Sequence, residues 1–160
     1  MDINSIHNVL IILHASAAII SFVAGCLLIF SATYASNQRW FSLYSWSLTG
    51  MVILLMGAIL VYWTQYSNIE HIIFPGLLVL AFYMLYRARN ASHLIKAQQN
   101  NWKQGYVKHI GFTLISLFEG FIIVGGLDIG VPGWLIALLA ILGVFAGNWV
   151  IGLAQRRIER

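Results

Sequence analysis

The stretch VKHIGFTLISLFEGFIIVGGL, residues 107–127, reads as a membrane-spanning helix with one carboxylate, Glu119, placed where lipid would be driest. At a rise of 1.5 Å per residue it is long enough to cross about 30 Å of hydrocarbon. Four further apolar runs flank it. They place spans at residues 6–34, 40–62, 72–86 and 132–154, so that 107–127 is the fourth of five.

Composition agrees with this reading. The 160 residues are 60% hydrophobic and only 9% charged, whereas a soluble domain is about a quarter charged. The chain therefore reads as all-α, a single polytopic domain over residues 1–160 with the lipid bilayer as its solvent. The N-terminal MDINSIHNVL has no basic region ahead of the first apolar run, which is thus expected to stay as a span rather than act as a signal peptide. Pro75 and Pro132 are expected in first helical turns, where a missing N–H costs least.

Charge orients the spans. Arg39 lies between spans one and two, and Arg87, Arg89, Lys96, Lys103 and Lys108 lie between three and four. Arg156, Arg157 and Arg160 end the chain, while the other flanks carry Asp2, Glu70 and Asp128 without a Lys or Arg. The positive-inside rule then gives a multi-pass protein of the cell membrane, N-terminus out and C-terminus in, with a basic cytoplasmic loop at about 87–106. The net charge of +4 follows topology, so no nucleic-acid partner is expected, and no phosphate loop or RNA-binding pattern is present. The single cysteine, Cys26, excludes an intrachain disulfide and reads as a small packing residue.

Aromatic residues mark both interfaces, with Trp40, Tyr44 and Trp46 at the inner end of span two and Tyr62, Trp63 and Tyr66 at its outer end. On span one, His7, His14, Ala18, Ser21 and Gly25 share a stripe; on span five, Gly143 and Gly147 form a small-residue step for packing within or between subunits. Five short spans make a thin bundle, which points to a homo-oligomer or a larger membrane complex. Span three is uniformly bulky and is expected to face lipid most. Within the basic connection, ASHLIKAQQNNWKQ is expected either as a short amphipathic surface helix, with Leu94, Ile95 and Trp102 toward lipid, or as a solvated loop.

Depth brings the ionisable groups into relation. Glu119 lies nine residues before Asp128, about 13 Å down its helix, and His14 eight residues after Ile6, about 12 Å down its own. Matched depth predicts a His14–Glu119 pair inside the bundle, since each is expensive against lipid. His7, His14, Glu70, His71, Glu119 and Asp128 together form a candidate ligand set for a divalent metal such as zinc, iron or manganese. His7 and His71, at one outer level, are the candidates for haem b ligation. Ser116 and Asn148, with Gln155, are candidates for a polar path from Glu119 toward the cytoplasm, while His93 and His109 add only polarity on that side.

His14 followed by Gly25 in span one, LYRARNASH (residues 85–93) closing span three and His109 at the start of span four resemble an uncharacterised family of bacterial predicted membrane proteins, a domain of unknown function. The resemblance covers the first two-thirds of the chain. Where that family has a His–Arg pair leading into span two, this sequence has Arg39–Trp40. No activity follows from the likeness. Three functions stay open: a proton- or cation-responsive carrier or channel centred on His14 and Glu119, a haem- or metal-binding redox protein, and an accessory subunit without chemistry of its own.

Overall fold

A computed structural model describes residues 2–30, 37–97 and 102–158, and for Asp128, Arg157 and Ile158 the backbone only. Five long helices make up the fold: α1 (Ile3–Phe30), α2 (Gln38–Tyr62), α3 (Glu70–Ala97), α4 (Trp102–Asp128) and α5 (Gly133–Ile158). A 3-10 turn, Trp63–Gln65, follows α2. All five are long and apolar enough to cross a membrane. A helix suits that environment because it satisfies every backbone polar group internally.

Local chemistry sets the ends. The Asp2 carboxylate accepts from the Ser5 amide at 2.9 Å, and Asn37 caps α2 by accepting from the Arg39 amide at 3.0 Å. Asp2 is held below the usual carboxylate range by the Ser5 hydrogen bonds. Before α3, Ser67 and Glu70 form a reciprocal capping box: Glu70 Oε2 accepts from the Ser67 amide at 2.7 Å, and Ser67 Oγ from the Glu70 amide at 3.4 Å. The box starts α3 earlier than hydropathy predicts, so Pro75 falls inside the helix rather than in its first turn. Gly130, at φ 73°, ends α4 in a left-handed turn, with Val131 N–H donating to Gly126 O at 2.8 Å and Gly130 N–H to Leu127 O at 3.1 Å.

The expected loop at 87–106 is largely helix. Residues 87–97 extend α3 and residues 102–106 open α4, leaving only 98–101 outside the described residues. Ala88 and Ala91 are buried, and Leu94 packs onto Gly105, where an added Cβ would lie 2.8 Å from its Cδ1. The two helices thus continue packing past the apolar runs, and among the described residues the helical part of this stretch belongs to α3 and α4. The expected end of span one, residues 31–34, lies outside the described residues.

α4 is the hub. It packs against α1, α3 and α5, whereas α5 packs chiefly on α4. Buried residues make up 39% of the apolar window of α4, 17% of that of α3 and 6% of that of α5. Thus α5, not the bulky third helix, has the most open surface. The remaining core is built from Leu28 of α1, Leu48 and Val52 of α2, and Val107 and Ile110 of α4.

The helix directions alternate, which gives the bundle two unlike ends. One holds the start of α1 and the connections α2–α3 and α4–α5. The other, the basic end, holds Arg39, Arg87, Arg89, Lys96, Lys103, Lys108 and Arg156.

Candidate functional site

The histidine stripe of α1 is a hydrogen-bonded seam. His7 Nδ1 donates to Ala58 O at 3.2 Å, His14 Nδ1 to Met51 O at 2.9 Å, and Ser21 Oγ to Tyr44 O at 3.4 Å. A carbonyl oxygen can only accept, so each ring carries its proton on Nδ1. In the neutral ring Nε2 then keeps its lone pair. His14 also lines a cavity of about 140 Å³ that draws walls from α1, α2, α3 and α4, with Ser116 and Gly120 of α4 among them. Apart from His14 and Ser116 its walls are apolar.

Glu119 lies on another face of α4. It is 7% exposed, and its Oε1 rests on Gly143 of α5, in the space an added Cβ would take. The seam around it alternates small and large residues. Ile151 fills the space beside Gly111, and Ile115 fills that beside Gly147, with added Cβ atoms meeting them at 2.6 Å and 2.5 Å. Glu119 takes the next position of that series, where a hydrocarbon would be expected. Among the described residues neither carboxyl oxygen has a hydrogen-bond partner. An opening of about 310 Å³, lined by Ile123, Ala140 and Val144, adjoins it. Gly143 and Gly147 therefore serve packing within the chain.

The expected His14–Glu119 pair is not formed. His14 bonds α2 and lines the cavity beside Ser116, while Glu119 points to α5. Depth was matched and azimuth was not, because at about 100° per residue a helix turns neighbouring positions to different partners.

Among the described residues the wider ligand set does not converge either. His7 stacks on Tyr62 with ring centroids 4.2 Å apart, and Glu70 is used in the capping box. His71 Nδ1 donates to Ser67 O at 2.9 Å, and its ring meets Trp63 edge-on at 4.7 Å. Tyr66 contacts the rings of both His7 and His71, at 6.3 Å and 6.0 Å. Asp128 ends α4, and its side chain lies outside the description. Among the described residues no three His, Cys, Asp or Glu side chains gather as a metal site. Haem b does not fit the cavity beside His14. At about 140 Å³ that space suits one aromatic ring, since a cavity of roughly 150 Å³ accommodates benzene.

The proposed polar path is also divided. Ser116 lines the His14 cavity, whereas Asn148 donates to Val144 O of its own helix at 2.9 Å and lines a separate cavity at the basic end. Gln155 lines that second cavity too, donating to Gln104 O at 3.3 Å.

Tyr44 and Thr113 are the polar residues that sequence reading missed. Tyr44, expected in an interfacial belt, is fully buried, and its hydroxyl bonds the Thr113 hydroxyl. Thr113 Oγ1 donates onward to Ile110 O at 2.7 Å, so the tyrosine is the donor to Thr113. The clue available in the sequence was register: Tyr44 stands seven residues before Met51 on the α2 face that receives the α1 stripe.

Comparison with models of protein families, with curated proteins and with solved structures finds no match.

Proposed function

We propose that the protein is a small proton- or cation-linked carrier or channel of the cell membrane, working as a homo-oligomer or within a larger complex, in which Glu119 takes up and releases the ion. One observation carries this reading: a buried mid-span carboxyl group whose two oxygens have no partner among the described residues. A charge at the centre of a span costs about 2.5–3.5 kcal/mol on insertion scales, and ionisable groups retained there mark ion pathways. Glu119 is enclosed between α4 and α5, with its Oε1 against Gly143. Ion exchange at Glu119 therefore needs α4 and α5 to part, and α5 is the helix with least buried surface. His14 is a second polar station on the other side of α4, not its bonded partner. The concentration of Lys and Arg at one end supports an orientation with that end in the cytoplasm and the N-terminus outside.

The test is ion flux into liposomes carrying the purified protein and a trapped pH dye. Glu119→Gln should abolish flux, and Glu119→Asp should retain part of it. A hydrophobic carbodiimide should label the wild type at Glu119 and block flux. Unchanged flux in the Gln variant removes the reading.

A further inference from the structure

We propose that the cavity between α3, α4 and α5 at the basic end binds the phosphate group of an anionic ligand, either a phospholipid headgroup or a free phosphate. This cavity is separate from Glu119 and from the His14 cavity. At about 550 Å³ it falls within the usual range of ligand pockets, about 300–1,000 Å³. Arg87, Gln104, Lys108, Phe112, Asn148 and Gln155 line it.

Arg87 is built in rather than left to wave in solvent. Its Nη2 donates to Lys108 O at 3.0 Å, its Nη1 to the Tyr83 hydroxyl at 3.4 Å, and its guanidinium lies 4.8 Å from the centre of the Phe112 ring. These bonds use one N–H of each terminal nitrogen, so Nη1 and Nη2 each keep a second N–H, and a fixed guanidinium with donors to spare is suited to an oxyanion. Lys108 lines the same cavity, and among the described residues neither cation meets a carboxylate. Asp2, Glu70 and Asp128 lie at the opposite end, and Glu119 is at the α5 seam. Two cations around one cavity without a counter-charge favour an anion from outside the chain. A basic hollow between spans at the headgroup level is the arrangement that holds acidic phospholipids.

The experiment uses purified full-length protein in detergent, titrated with phosphatidylglycerol or phosphatidylcholine and read by native mass spectrometry. Phosphatidylglycerol should be retained in preference to phosphatidylcholine. Lys108→Gln, which removes a charge from the cavity wall, should weaken retention about tenfold, as loss of one charge-assisted contact would. Lys96→Gln makes the same charge change at the same end outside the cavity and should leave retention unchanged. Inorganic phosphate supplies the second arm. Thermal stabilisation by phosphate that Lys108→Gln abolishes assigns the site to a free anion, and lipid retention that phosphate does not displace assigns it to a headgroup. Equal retention of the two lipids without phosphate stabilisation overturns the proposal. So does an equal loss in Lys96→Gln and Lys108→Gln.

Discussion

The ring of His14 donates to the main-chain oxygen of Met51 across 2.9 Å, and the bond recurs seven residues to either side, at His7 with Ala58 and at Ser21 with Tyr44. α1 and α2 therefore keep one antiparallel register from end to end. Met51 and Ala58 lie within α2, so each carbonyl uses its second lone pair for the neighbouring helix, whereas the Tyr44 carbonyl also accepts from Ser47 Oγ of its own helix at 3.0 Å. This seam is stabilising without being strong, since side-chain hydrogen bonds between spans average about 0.6 kcal/mol and reach about 1.7 kcal/mol.

Ser21→Ala should accordingly lower stability by about 0.6 kcal/mol, read by reversible unfolding in mixed micelles. His14→Ala should cost more, because it also enlarges the cavity the ring lines, whereas His14→Leu should recover most of that difference. Equal losses for His14→Ala and His14→Leu would show that volume at this site contributes nothing.

The Tyr44–Thr113 bond predicts an ordering. Tyr44→Phe deletes a donor and leaves Thr113 still bonded to Ile110, so the cost should be about 1 kcal/mol. Thr113→Val keeps the volume but strands the Tyr44 hydroxyl at a fully buried position, and should cost more, up to about 3 kcal/mol. Thermal unfolding of both variants checks the order. A larger loss for Tyr44→Phe would mean that the hydroxyl is satisfied elsewhere.

The spans were legible because hydropathy summed over some 18 residues outweighs any local irregularity, and bilayer thickness sets the length. The helical extensions of α3 and α4 beyond the apolar runs were not. Ala88, Ala91 and Leu94 are good helix formers in a polar stretch, so low hydropathy there reads as a solvated loop or a short surface helix rather than as a continuation of the span. For the site, rise gave the depths of His14 and Glu119, but their directions depend on which helix is the hub, and no single span encodes that. Tyr44 shows the same gap, since an aromatic residue near a span end reads as a headgroup anchor until its neighbours are known. Trp46, two residues on and 74% exposed, does lie on the open surface.

Orientation makes a labelling prediction. With Cys26 replaced by Ala, a cysteine at Asn68 should react with a membrane-impermeant maleimide on intact cells. One at Lys96 should react only after permeabilisation, because the two positions lie at opposite ends of α3. The reverse pattern would place the N-terminus inside.

The α4–α5 seam carries the last prediction. Gly143 and Gly147 occupy equivalent steps of α5, yet what faces them differs. An alanine at Gly147 meets Ile115 at 2.5 Å and 3.0 Å, atoms of a stiff branched side chain, and Gly147→Ala should cost about 1–3 kcal/mol. An alanine at Gly143 meets the carboxyl end of Glu119, which can swing toward the opening beside Ile123 and Val144, so Gly143→Ala should cost less. With Glu119→Ala already in place, Gly143→Ala should become neutral or stabilising, because alanine is favoured over glycine inside a helix by about 0.5–1 kcal/mol. The two sites should therefore show a coupling of about 0.5–3 kcal/mol in a double-mutant cycle. Gly147→Ala should give the same loss with or without Glu119. Strict additivity at 119 and 143 would mean that the carboxyl group does not rest on α5, and the ion-exchange reading built on its enclosure would fall with it.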